Sequence, residues 1–147
     1  MAIHIGASEV AALTGRSPRK TAEEAIDTVR RRGDRAPALA GAELRRGMTT
    51  AEGVRWTLCG AAEAVDDERV VVAVHRAQRL EGRVPDDERA EMLACMYMAR
   101  VPRAIQRERC GMTVQEHTVE FDPLEWAAIA EELCALVDLR LAPGEDV

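Results

Sequence analysis

The side chains that most often do chemistry in proteins are scattered along this chain and form no familiar catalytic motif. The three histidines, His4, His75 and His117, have no spacing typical of metal ligands. Neither Ser8 nor Ser17 stands in a histidine and acid pattern that indicates a nucleophile, and both are interpreted as helix caps. No glycine-rich phosphate loop is present. The residues themselves therefore point to no nucleophilic or metal-dependent enzyme.

The composition is that of a globular domain. The chain has 147 residues, of which 31% are charged and 47% belong to the hydrophobic set. We expect one domain over residues 1–147, in which residues 141–147 form a short acidic tail. No apolar run is long enough to cross a membrane and no signal sequence is recognisable, which predicts a cytoplasmic protein. The widely spaced cysteines are predicted to be reduced thiols in the core: Cys59, Cys95, Cys110 and Cys134.

Charge is unevenly distributed along the sequence. Residues 16–47 contain nine basic and five acidic residues, whereas the rest contains eleven basic and twenty-one acidic residues, which gives a net charge of −6. The basic stretch could meet phosphate groups, or its arginines could simply lie at the negative end of a helix. The acidic remainder argues against a protein that coats nucleic acid without specificity.

Capping signals and hydrophobic periodicity predict a small α/β domain with a mixed β-sheet flanked by helices. Capping boxes mark three helix starts, at Thr21–Glu24, Thr49–Glu52 and Asp122–Glu125. We expect helices over residues 9–14, 22–32, 50–65, 85–101 and 123–137. The β-branched run predicts a central strand over residues 69–76, and a hairpin is expected over 104–109 and 112–121. Residues 34–41 read as a loop, and residues 78–84 as either a strand or a loop.

The most distinctive pattern covers residues 5–21, Ile-Gly-Ala-Ser-Glu-Val-Ala-Ala-Leu-Thr-Gly-Arg-Ser-Pro-Arg-Lys-Thr. It resembles the opening of YqaJ-like viral recombinases, which are phage alkaline exonucleases related to lambda exonuclease. That opening runs Ile-Gly-(Gly/Ala)-Ser-(Asp/Glu) and ends in Gly-x-Ser-Pro-x-Lys-Thr. Three downstream segments follow the family's order: Arg46–Gly47 with Glu52, Gly82–Pro85 before a helix, and Asp122–Pro123. The resemblance implies a reduced restriction-endonuclease-like, or lambda exonuclease-like, core.

The same resemblance implies that the catalytic residues have been lost. In the family, carboxylates on adjacent strands hold Mg²⁺, and a lysine two residues beyond the second carboxylate stabilises charge on the phosphate. Alignment with the central strand places Ala73 at the metal-binding glutamate and His75 at the lysine. Glu52, Asp66 and Asp67 are the possible remnants of the site. We therefore expect no metal and no cofactor, with Mg²⁺ only if a nuclease site were functional.

A degenerate, phage-derived relative of the recombination exonucleases is accordingly the first hypothesis. It would bind duplex DNA, DNA ends, or a phage or host protein rather than cut. Because lambda-type enzymes form rings, a homo-oligomer is also expected. The candidate nucleic-acid contacts are Ser8, Arg16, Ser17, Arg19, Lys20, Arg45 and Arg46.

Two other hypotheses stay open. Residues 7–26 can be threaded onto a helix-turn-helix, with Ala11 at the small position and Gly15 in the turn, although Arg16 and Pro18 fit that motif poorly. This would make the protein a transcriptional regulator. Alternatively, the acidic surface outside residues 16–47 is typical of an interaction protein, for example a phage-encoded inhibitor of a host nuclease.

Overall fold

The computed structural model describes residues 2–142, so Met1 and most of the predicted acidic tail, residues 143–147, lie outside the described part. The chain begins with strand β1 (His4–Gly6), a 3₁₀ turn (Ala7–Glu9) and helix α1 (Val10–Leu13), followed by helix α2 (Ala22–Arg32). The central part contains β2 (Ala42–Thr49), β3 (Arg55–Ala62), β4 (Ala64–Val65) and β5 (Arg69–His75). The last part contains α3 (Asp86–Ala99), β6 (Arg103–Cys110), β7 (Thr113–Glu120) and α4 (Pro123–Leu136), which continues into a π-turn (Val137–Leu141).

The strands form two small mixed sheets. The first has the order β1-β3-β2, with β1 parallel and β2 antiparallel to β3. The second has the order β4-β5-β6-β7, in which β5 and β6 are parallel and β6 and β7 form an antiparallel hairpin. The sheets meet where the Glu63 amide donates a hydrogen bond to the Val71 carbonyl over 2.8 Å. The predicted α/β class with a mixed sheet is therefore confirmed, and the sheet is divided into two.

The predicted helix over residues 50–65 is wrong, because these residues form the turn after β2 and strands β3 and β4. Thr50 caps a turn rather than a helix: its Oγ accepts the Val54 amide at 3.0 Å and donates to Asp138 at 2.6 Å. Gly53 then turns the chain with φ +83°. Apolar residues at helical spacing also satisfy the two-residue period of a strand, and Trp56 and Leu58 are buried on one face.

The remaining predicted elements are confirmed, namely the helices near residues 9–14, 22–32, 85–101 and 123–137, the strand at 69–76 and the final hairpin. The cap assigned to Ser8 is wrong, since Ser8 lies inside the 3₁₀ turn. There, Glu9 instead accepts the Gly6 amide at 2.8 Å. Ser17 caps a bend, in which its Oγ accepts the Arg19 and Lys20 amides. All four cysteines are free; Cys59 and Cys95 are buried in the core as predicted, whereas Cys110 and Cys134 are only partly buried, so the core placement predicted for these two is wrong. Within residues 2–142, no helix is long and apolar enough to cross a membrane.

Helix α3 is the central element of the core. It contacts β2 and β3 of one sheet, β5 and β6 of the other, and helices α1 and α4. A helix surrounded in this way must be apolar on most of its faces. Its buried residues are Ala90, Met92, Leu93, Ala94, Cys95, Met96 and Met98.

Close packing of α3 on β3 depends on Gly60. A Cβ atom at this position would lie 3.0 Å from both the Ala7 Cβ and the Met98 Cε. The methionine can move aside, whereas the short Ala7 side chain can move only with its backbone.

We expect Gly60→Ala to lower the free energy of unfolding by about 1–3 kcal/mol, because the added methyl overpacks this contact. Urea denaturation would measure the change. Gly47→Ala is the matched control, since no neighbouring atom lies within 4 Å of its added Cβ. It should have little effect or stabilise the strand by about 0.5–1 kcal/mol. Equal stability of the two variants would contradict this packing.

Candidate nucleic-acid interface

Ala73 lies beside a row of charged side chains on the exposed face of the second sheet. Its register partner on β6 is Arg107, whose partner on β7 is Glu116. The Arg107 guanidinium donates to Glu63 at 2.9 Å and to Glu116 at 3.1 Å. The Arg107 guanidinium thus lies between two carboxylates. It stands opposite Ala73, whose methyl side chain cannot bind a metal ion.

This donor set does not fit Mg²⁺, the metal that the resemblance associates with the fold. Magnesium requires near-octahedral oxygen coordination. Here Ala73 contributes no oxygen, and the carboxylates of Glu63 and Glu116 are already bridged by Arg107. Over residues 2–142, no group of three or more His, Cys, Asp or Glu side chains could hold a metal ion.

The three predicted remnant carboxylates lie in turns. Glu52 is in the turn between β2 and β3, and Asp66 and Asp67 are in the turn between β4 and β5. Asp66 accepts hydrogen bonds from the amides of Glu68 and Arg69 at 2.8 and 2.9 Å. Both bonds lower the pKa of the Asp66 carboxyl, and the bond from Glu68 has the larger effect. Asp66 thus stabilises its own turn. Glu63, which Arg107 binds beside Ala73, was not indicated by the sequence, because a helix was expected over residues 50–65 where the second sheet begins.

The opposite face of the same sheet contains a fully buried carboxylate, Glu108. Its side chain has no exposed surface. It accepts hydrogen bonds from Arg76 Nε at 2.8 Å and from the amides of Glu81 and Gly82 at 2.7 and 3.3 Å, and it contacts His117 Nε2 at 3.0 Å. Burial alone would raise the pKa of Glu108, but these hydrogen bonds outweigh it and lower the pKa to about 2.

Arg76 connects this carboxylate to helix α3. Its two terminal nitrogens bind the Glu88 carboxylate at 2.6 and 2.7 Å, a bidentate geometry that is among the strongest ion pairs. Gln106 donates to the same carboxylate at 2.7 Å, while its buried Oε1 has no partner within residues 2–142. One turn along the helix, burial raises the pKa of Glu91, helped by the charges of Glu88 and Asp87.

A positively charged cleft of about 440 Å³ lies where β5 ends. Its lining comprises Arg19, His75, Arg76, Ala77, Gln78, Arg79 and Glu81. Because Arg76 is held by Glu88 and Glu108, the cations free to meet a ligand are Arg19 and Arg79. Neither forms a salt bridge with any residue in the described range. This basic cleft is the strongest candidate for an anion site beside the row at Ala73.

The structure brings Arg19, a predicted DNA contact, together with His75, the predicted degenerate catalytic position, in this cleft. Most of the other predicted DNA contacts have partners within the protein. Arg16 pairs with Glu132 at 2.6 Å and Arg45 pairs with Glu43. Arg46 lies outside the cleft, where Nη1 donates to the Tyr97 carbonyl at 2.8 Å and the other guanidinium nitrogens have no partner within residues 2–142. Ser8 is exposed. Lys20 has no salt-bridge partner in the part of the chain that is described.

Arg79 is a residue of the cleft that the sequence patterns did not indicate. It follows the predicted strand in the stretch 78–84, which could be either a strand or a loop. That stretch is a loop. A basic residue shortly after a central strand was the only available signal.

Comparison with known proteins gives a fold and no family. No family model and no curated protein sequence matches the chain. Its structure is similar to that of an alkaline exonuclease (LHK-Exo) from Laribacter hongkongensis, with 13% identity, a TM-score of 0.65, and coverage of 95% of this chain and 88% of that one. The structure of LHK-Exo in complex with dAMP is similar as well, with 13% identity, a TM-score of 0.64, and coverage of 94% of this chain and 88% of that one.

The crystal structure of SSO0001 is also similar, at 12% identity and a TM-score of 0.59, covering 97% of this chain and 79% of that one. The predicted exonuclease-like fold is therefore confirmed across nearly the whole chain. The closer resemblance to YqaJ-like recombinases stays a prediction.

We expect Glu108→Gln to lower the free energy of unfolding at neutral pH by about 3–5 kcal/mol, because it breaks a buried charge network. A carboxyl with a lowered pKa stabilises the fold above its ordinary pKa of 4.5 and loses that contribution as the pH falls towards about 2. The native protein should therefore lose stability over this range more steeply than Glu108→Gln, as measured by urea denaturation. Glu43→Gln, in an exposed pair, should cost under about 1 kcal/mol. This role for Glu108 would be contradicted if the free energies of unfolding of the native protein and of Glu108→Gln fell in parallel as the pH is lowered.

Proposed function

We propose that this protein binds duplex DNA, at or near its ends, through the basic cleft at the end of β5 and does not hydrolyse it. The observation that carries the proposal is Arg107, which lies between the carboxylates of Glu63 and Glu116 opposite Ala73. The protein would keep the fold of an exonuclease while the Arg107 guanidinium, in place of a divalent cation, neutralises the two carboxylates.

Binding of DNA is supported by the free cations of the cleft. Arg19 and Arg79 present guanidinium groups that are unpaired within residues 2–142, in the same cleft as His75, and guanidinium groups bind phosphate oxygens in a bidentate manner. LHK-Exo, whose fold is similar, has been crystallised with dAMP. Because the net charge of the chain is −6, phosphate contacts would be restricted to this cleft and its rim. Such an arrangement suits a defined site better than non-specific coating.

Loss of hydrolysis is supported by the residue types at the site. Metal-assisted hydrolysis of a phosphodiester needs a cation that generates hydroxide and neutralises charge on the phosphate. Arg107 can neutralise charge but cannot generate hydroxide from bound water. His75 stands where the resemblance expects the lysine that stabilises charge on the phosphate.

The two alternative hypotheses receive less support. A recognition helix contacts DNA through its N-terminal residues, and the first turn of α2 contains Glu23 and Glu24, which phosphates would repel. Helix α1 has four residues, all of them buried. For the acidic inhibitor, no surface among the described residues favours a particular target. The phage origin and a ring-shaped oligomer belong to the proposal as implied by the resemblance, and the cytoplasmic location belongs to it as predicted from the sequence.

We expect Arg19→Ala and Arg79→Ala each to weaken binding of a short linear duplex, because each removes one phosphate contact. Fluorescence anisotropy at a series of salt concentrations gives the slope of the log association constant against log salt concentration. The magnitude of this slope should be smaller by about 0.9 in each variant than in the native protein. The matched control is Arg31→Ala, which removes an exposed charge on α2 outside the cleft. Equal binding by all three variants would assign the DNA contact to another surface.

A further inference from the structure

A second hollow lies at the C-terminal end of helix α3. Its volume is about 240 Å³. It is lined by Arg46, Met96, Tyr97, Arg100, Val101 and Phe121. Helix α3 has 14 residues and is therefore about 21 Å long. Since Glu88, near the N-terminal end of the helix, binds the Arg76 network beside the basic cleft, the hollow and the cleft lie at opposite ends of α3.

The guanidinium of Arg46 is held in place at one wall of this hollow. Its Cζ lies 3.7 Å from the centre of the Tyr97 ring, and Nη1 donates to the Tyr97 carbonyl at 2.8 Å. The other nitrogens make no hydrogen bond to any residue in the range 2–142. A cation stacked on an aromatic ring with donors left over is a preorganised site for a carboxylate.

Arg100 also lines the hollow, and its backbone conformation is unusual. It ends α3 with φ 60° and ψ 43°, and it is the only non-glycine residue between positions 2 and 142 with a positive φ. Glycine usually occupies this position because a side chain there is strained. No carboxylate of the described chain pairs with Arg100. A strained residue that keeps an exposed, unpaired cation beside a hollow points to a binding role.

The floor of the hollow is apolar and unsuited to stacking a base. Met96 and Val101 are buried, and Phe121 is partly buried against the core. The Tyr97 ring is already packed against Arg46 and against the Trp126 ring, whose centre is 5.0 Å away. The free features are thus two guanidinium groups above a small apolar surface.

We infer that this hollow binds the C-terminal residue of a protein partner, with its carboxylate between Arg46 and Arg100 and an apolar side chain against Phe121 and Met96. Charge complementarity and the size of the hollow select this occupant: the hollow accommodates one side chain with one carboxylate. Its position at the far end of α3 leaves the basic cleft free, so a partner and DNA can be bound at the same time. Binding at the hollow does not depend on the proposed binding of DNA.

The test uses N-acetyl-phenylalanine, which has a free carboxylate, and N-acetyl-phenylalaninamide, which does not. Each is titrated into the ¹⁵N-labelled protein while the amide signals of residues 96–101 and the Trp126 indole signal are followed. We expect saturable binding of the acid in the millimolar range and at least tenfold weaker binding of the amide, as for loss of a charged hydrogen bond.

Arg100→Gly is the decisive variant, because glycine accepts the left-handed conformation and the variant should be at least as stable as the native protein. It should bind the acid about tenfold more weakly, whereas Arg31→Ala should bind it unchanged. The inference is overturned if the acid and the amide bind equally, if the acid does not saturate, or if Arg100→Gly binds like the native protein. Stronger perturbation of the same signals by a hexathymidine oligonucleotide would assign the hollow to nucleic acid and would also overturn it.

Discussion

Removing a carboxylate from water costs several kcal/mol unless hydrogen bonds and an opposite charge replace the lost solvation. Glu108 has no exposed surface, and its two oxygens are satisfied by Arg76, by two loop amides and by His117. These partners come from the end of β5, the loop after it and β7, and Arg76 adds α3 through Glu88. The second sheet, the loop at residues 81–82 and the central helix are therefore fixed by one buried charge. The basic cleft forms where they meet.

The charges at Ala73 differ from this network in their exposure. The side chains of Arg107, Glu63 and Glu116 are between 31% and 51% exposed, so each pair contributes under about 1 kcal/mol to stability. The row is thus too weak to determine the fold. Its physical effect is to neutralise two carboxylates that would otherwise attract a divalent cation. Within one sheet, the face towards α3 carries the structural charges, and the outer face carries the Arg107 row on which the proposed loss of hydrolysis depends.

Local signals in the sequence predicted those elements whose formation depends on neighbouring residues. The capping residues Thr21 and Asp122 accept the amides expected of them, and the β-branched run at residues 70–74 is a strand. The hairpin of β2 and β3 was missed because Leu58 and Ala62 fit a helical period as well as a strand, and because Thr49–Glu52 mimics a capping box. The pairing of β2 with β3 then decided the conformation.

The candidate site was less accessible to prediction, because its geometry depends on residues distant in the sequence. The motif at residues 5–21 indicated the fold correctly, yet Glu9 binds Arg32 and Arg16 binds Glu132, so that part of the motif stabilises the structure. No spacing in the sequence relates Arg107 to Glu63, or Arg46 to Arg100. These pairs are brought together only when the hairpins form and α3 crosses both sheets.

In the proposed function, the protein binds duplex DNA and does not hydrolyse it. The most direct test incubates a linear duplex with the purified protein in Mg²⁺ and measures binding and strand length in the same samples. We expect the duplex to be bound and to remain full length, and EDTA to change neither result. Progressive shortening of the duplex in Mg²⁺ that is abolished by EDTA and by Glu63→Gln, Glu52→Gln, Asp66→Asn or Asp67→Asn would contradict the role assigned to Arg107 and would identify a working nuclease.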